Sequence, residues 1–68
     1  MDEDVFNMSV RKFLKKVGIT AQREIETAVR AGLADGRLKG NEKLAARATI
    51  TIEDLGREVV ITGDVSLE

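Results

Sequence analysis

The sequence predicts an α+β fold of order α-α-β-β, in which a two-helix hairpin is followed by a two-stranded antiparallel β-hairpin packed on the helices. Three observations carry this expectation. Apolar residues recur at helical spacing between Phe6 and Leu33. Within that stretch, Val17-Gly18-Ile19-Thr20 sets a glycine among three β-branched residues, a run with poor helix propensity. From Leu44 onward the apolar period falls from about 3.6 residues to two, the signature of a half-buried strand.

The first helix is expected from about Glu3 to Val17. Phe6, Val10, Phe13, Leu14 and Val17 share one face, within an arc of about 100°. Asp2, Glu3 and Asp4 lie at the positive end of the helix dipole. Arg11, Lys12, Lys15 and Lys16 gather toward the negative end, so both clusters favour the helix. Gly18 is read as the stop, in the left-handed conformation, with Ile19 folding back onto Leu14. Thr20 then serves as N-cap of a second helix, from about Ala21 to Ala34. Its inner face is Ile25, Ala28, Val29, Gly32 and Leu33, and its outer face carries Gln22, Arg23, Glu26, Thr27 and Arg30. Glu26 and Arg30 form a favourable i,i+4 pair, and Gly36 ends the helix.

Residues 36–43 form a loop with two glycines and several basic residues, which invites a phosphate-binding reading. A P-loop needs G-x-x-x-x-G-K-[ST] between a strand and a helix. Here the glycines are one residue too close, no Lys-Ser/Thr follows Gly40, and a strand comes next. The loop is therefore read as turn chemistry.

Leu44, Ala46, Ala48, Ile50 and Ile52 alternate with Ala45, Arg47, Thr49, Thr51 and Glu53 in the first strand. Val59, Ile61, Gly63 and Val65 alternate with Glu58, Val60, Thr62 and Asp64 in the second. A four-residue loop with Glu53 opposite Glu58 keeps the apolar faces together, setting Ile52 by Val59 and Ile50 by Ile61. Ala48, Ile50, Ile52, Val59, Ile61 and Val65 are expected to face the helices as core.

Composition bounds the function. The 68 residues make one small domain, expected over residues 1–66, with Leu67-Glu68 resembling a cloning scar. A core of this size rarely yields more than about 3–5 kcal/mol net. With no Cys and no His the chain lacks the ligands of structural zinc, and no cofactor or metal is expected. Tyr is absent too, so the usual catalytic bases and nucleophiles are missing and an enzyme is not expected. The N-terminus is acidic without a following apolar run, and no stretch approaches the ~20 apolar residues of a membrane span. A cytoplasmic protein is the expectation, with no membrane partner and no small-molecule substrate.

Two binding readings remain. In the first, the helical pair resembles a helix-turn-helix and the hairpin a wing, with Gln22, Arg23, Thr27 and Arg30 of the second helix facing nucleic acid. Only two helices are legible where winged folds have three, and Glu24 stands where an apolar residue is wanted. Residues 1–47 carry 10 Lys+Arg against 7 Asp+Glu, a net of +3, while residues 48–68 carry 1 against 5, a net of −4. A wing of that charge repels phosphates. In the second reading the protein is a non-catalytic interaction or structural module that self-associates as a homodimer. Its candidate surfaces are the outer spot formed by Val5 and Met8 beside Lys12 and Lys15, and the mild outer face and open edges of the hairpin, with Thr51, Val60 and Thr62.

The runs Asp4-Val5-Phe6-Asn7-Met8-Ser9-Val10-Arg11-Lys12-Phe13-Leu14-Lys15-Lys16-Val17-Gly18 and Leu38-Lys39-Gly40-Asn41-Glu42-Lys43-Leu44 resemble a family of short uncharacterised bacterial proteins, a domain of unknown function. The likeness spans nearly the whole chain. It implies a bacterial cytoplasmic protein and carries over no catalytic or ligand motif.

Overall fold

The stretch expected to form two helices forms one. In the computed structural model, which describes residues 1–68, a single helix α1 spans Glu3–Ala34 without interruption. Strands β1 (Lys43–Ile52) and β2 (Arg57–Ser66) follow, joined by a single 3₁₀ turn over Glu53–Leu55. The element order is therefore α-β-β rather than α-α-β-β. The chain divides into two compact units, Met1–Arg37 and Leu38–Glu68.

In the first unit, Asp2 caps α1: its carboxylate accepts from the backbone N–H groups of Asp4 (3.0 Å) and Val5 (3.1 Å). Glu3 and Asp4 occupy the first turn, where negative charge is favoured. Thirty-two residues make a helix about 48 Å long. The expected stop at Gly18, the back-folded Ile19 and the Thr20 cap are all absent, because Val17-Gly18-Ile19-Thr20 is weak for a helix without being forbidding. Relative to alanine, those four residues cost about 2–3 kcal/mol in total. Ending the helix there would forfeit ladder hydrogen bonds and require a second costly nucleation. There is no proline to remove an N–H from the ladder.

The apolar face also stays in phase across the expected break. At about 100° per residue, Phe6, Val10, Phe13, Leu14, Val17, Ala21, Ile25, Ala28 and Gly32 fall within an arc of about 120°. Arg11, Lys12, Lys15 and Lys16 consequently lie in the body of a helix whose C-terminal end is at Ala34, and no basic residue occupies the last turn. The dipole explanation for that cluster fails, since the effect fades beyond the terminal turns. At the true end, the Asp35 N–H donates to the Ala31 carbonyl and Gly36 takes a positive φ of 83°, so the expected stop at Gly36 is where the chain turns.

In the second unit, β1 and β2 pair antiparallel with Ile50 opposite Val59, Ala48 opposite Ile61 and Leu44 opposite Val65. The loop has the expected four residues but begins one residue early, at Glu53. Ile52 thus faces Arg57 and Thr51 faces Glu58, instead of Glu53 facing Glu58. Gly56 decides this. It sits at φ 60°, its N–H donates to the Glu53 carbonyl at 3.1 Å, and a left-handed final loop position is open to glycine at no steric cost. The register moves each partner by two residues, so both faces keep their members. All the half-buried residues within the strands (Leu44, Ala46, Ile50, Val59 and Val65) lie on the predicted apolar face.

No hydrophobic side chain is buried: Ile61 remains 54% and Ile52 45% exposed, and the one buried residue of α1 is Gly32.

Candidate interaction surface

The continuous helix gives α1 two unlike faces. The main stripe carries Phe13, 52% exposed, with Phe6, Val10, Leu14 and Ile25, each 40–49% exposed. An open groove runs along Phe13, Val17, Thr20 and Ala21, with Lys16 at its margin. On the opposite side, the residues singled out from the sequence do come together. Val5, Met8, Lys12 and Lys15 lie at spacings of three and four residues, and Ile19 continues the line. Val5 and Met8 are 63% and 69% exposed. This back face is thinner in apolar area and interrupted by lysines. Sequence reasoning missed the extent of the stripe because it treated Phe6–Val17 and Ile25–Leu33 as belonging to different helices.

The candidate nucleic-acid residues fare differently. With no turn at Gly18 there is no helix-turn-helix, so Gln22, Arg23, Thr27 and Arg30 do not begin a recognition helix. Two of the four are held by one carboxylate. Gln22 Nε2 donates to Glu26 Oε1 at 3.0 Å, and Arg30 pairs with Glu26 Oε2 at 3.5 Å, the ion pair expected from the i,i+4 spacing. An acidic side chain at the middle of that face opposes approach by phosphate.

On the hairpin, the pairing places Thr51, Val60 and Thr62 on one face with Thr49 and Glu58, opposite the apolar one. Ala45, Ala46 and Gly63 with Arg47, Thr62 and Asp64 line a shallow depression on the hairpin that is open to solvent. In a two-stranded sheet each strand keeps one unpaired edge.

The segment from Asp35 to Glu42, between α1 and β1, contains the only carboxylates with shifted pKa values. Glu42 accepts from the backbone N–H groups of Lys39 (2.9 and 3.2 Å) and Gly40 (3.0 Å), which hold its carboxyl below the usual glutamate range. Those N–H groups are the donors an anion would use, so the chain's own carboxylate fills the cradle that the two glycines suggested. The Glu42 carbonyl also accepts from Leu67 N–H at 2.9 Å, carrying the strand pairing one step past Ser66. Asp35 is lowered likewise, first by the Arg37 side chain (Nε at 2.9 and 3.0 Å) and then by its backbone N–H.

A depressed carboxyl pKa favours the folded loop above the ordinary glutamate pKa, and this contribution fades as pH falls through the lowered value. An NMR titration should therefore give a Glu42 carboxyl midpoint below that of a free glutamate, with the Lys39 and Gly40 amide shifts moving at the same midpoint. A midpoint at or above the ordinary value would contradict the loop geometry.

No group of acidic side chains converges as a metal site, and no helix is long and apolar enough to cross a membrane. A family model described as a family of unknown function (DUF6494) matches residues 1–68. The chain belongs to this family. The match covers both units. No curated protein and no solved structure matches the chain.

Proposed function

We propose that this protein is a small non-catalytic interaction module that acts by self-association, joining copies through the apolar stripe of α1. The observation that carries the reading is the absence of any buried hydrophobic side chain beside a long, regular apolar face. From Phe6 to Ala28 the stripe is about 33 Å long, and on a helix about 10 Å across it presents several hundred Å². Monomers rarely leave a contiguous apolar patch of that size uncovered.

The energetics point the same way. A two-stranded hairpin is marginal in water by itself, and a lone helix draws most of its stability from packing an amphipathic face. With no cysteine for a disulfide and no histidine or cysteine for structural zinc, association is a source of buried area open to so short a chain. The lack of His, Cys and Tyr supports the non-catalytic part of the reading.

Sedimentation across the micromolar range tests it directly. The expected result is a species heavier than one chain, with a melting temperature that rises with concentration, as linkage requires of an associating fold. A strict monomer with a concentration-independent melting temperature would overturn the proposal.

A further inference from the structure

We infer that the partner of the α1 stripe is a second copy of the same helix lying antiparallel, with the two-fold axis level with Ile19. This inference rests on the self-association reading and adds the direction of the pairing. Three observations support it.

The first is size. The stripe is bulky in its first half and slight in its second, where alanines alternate with Ile25. Gly32 is already buried in the single chain, so the seam runs from Val10 to Ala28. Antiparallel pairing about Ile19 sets Val10 across from Ala28, Phe13 across from Ile25, and Val17 across from Ala21. Each layer then combines a larger with a smaller side chain, and the helices can hold one spacing of about 8–10 Å along the seam. Parallel, in-register pairing stacks Phe13 on Phe13 at one end and Ala28 on Ala28 at the other. That arrangement splays the axes or leaves a void.

The second is Glu24, the one charge between Val10 and Ala28 that falls inside the stripe. In a parallel pair the two Glu24 carboxylates meet in the seam, two like charges removed from water. In the antiparallel pair each Glu24 stands across from Leu14 of the other copy. Arg11 and Lys16 of that copy flank the stripe within about 5 Å of the same level along the axis. Their long stems can lie along apolar surface while the charged heads reach the carboxylate.

The third is the basic cluster itself, which the helix dipole does not explain once α1 is continuous. Antiparallel pairing brings Arg11 and Lys16, the two members that flank the stripe, level with residues 22–27 of the second copy, the segment that holds Glu24. Parallel pairing holds Arg11 and Lys16 level with their own copies and brings no carboxylate to them.

The chain has no cysteine, so introduced ones report the geometry without interference. Val10→Cys and Ala28→Cys are made separately in the full chain, mixed, allowed to exchange and oxidised, and the disulfide-linked species are identified by mass. The sedimentation of each reduced variant is measured in parallel. The expected result is a Val10→Cys/Ala28→Cys heterodisulfide with loss of both homodisulfides, because sulfurs bridge only where the Cα atoms lie within about 7 Å. Homodisulfides in place of the heterodisulfide, from variants that still sediment as oligomers, would overturn the antiparallel arrangement and leave self-association standing. If the reduced variants and the unmodified chain all sediment as monomers, self-association itself fails and the orientation falls with it.

Discussion

Phe13→Asp will leave the chain monomeric at concentrations where the unmodified protein associates. Phe13 lies on the stripe and is 52% exposed in the single chain, so the substitution removes only part of the packing that the ring makes once the stripe is covered. In the associated state it deletes the largest apolar side chain of the seam, a loss of about 3–5 kcal/mol if that ring is fully buried. It also forces a carboxylate into a low-dielectric contact. At about 1.4 kcal/mol per tenfold, association should weaken by at least about a hundredfold, and both copies carry the change.

Met8→Asp is the matched comparison. Met8 is 69% exposed on the back face with Val5, Lys12 and Lys15. Its substitution should leave the sedimentation profile unchanged. If Met8→Asp dissociates the protein and Phe13→Asp does not, the back face is the interface and the stripe is not.

Gly18 supplies the second test, because its sign separates one helix from two. In a continuous helix glycine is about 1 kcal/mol worse than alanine, and a Cβ built at Gly18 meets nothing within 4 Å. Gly18→Ala should therefore stabilise by about 1 kcal/mol. At a left-handed helix stop, the same change would destabilise by about 1–2 kcal/mol. Gly18→Pro should cost about 3 kcal/mol or more by removing the N–H that bonds to Leu14 and by ring clash with the preceding turn. Denaturant unfolding followed by far-ultraviolet circular dichroism reads both variants. A destabilised Gly18→Ala, or an unperturbed Gly18→Pro, would contradict an unbroken α1.

The hairpin was legible in the sequence because its signals reinforce one another. Strict alternation from Leu44 to Ile52 and from Val59 to Val65 defines the faces, and Gly56 is the only glycine between them. The register was two residues off because face matching allows any even shift. The choice among those depends on which loop residue takes the left-handed conformation, and Gly56 settles it. The start of α1 behind Asp2, the turn at Gly36 and the Glu26–Arg30 pair were likewise local matters of capping and spacing.

The junction at Gly18 was not legible from the same local rules. A glycine after an apolar run, followed by Thr, satisfies a stop and a new cap as well as it satisfies a weak helix interior, and the alternatives differ by only a few kcal/mol. The cue that favoured continuity lay in the phase of more distant residues: Val17, Ala21, Ile25 and Ala28 keep the spacing of Phe6, Val10 and Phe13. Recognition of the stripe, and with it the candidate interface, depended on that one junction.

By itself, then, the sequence determined which residues are apolar on each face, where α1 begins and turns, and that a β-hairpin closes the chain, since each follows from periodicity and the conformational demands of single residues. The three-dimensional structure decided that Gly18 lies inside one helix, and that Gly56 picks the hairpin loop among the registers that face matching allows. It also decided that no hydrophobic side chain is buried when the chain is alone. The physical reason is cooperativity. A helix through a weak segment is held by the turns on either side, and whether an apolar face is covered depends on every element that can reach it. No window of sequence contains either fact.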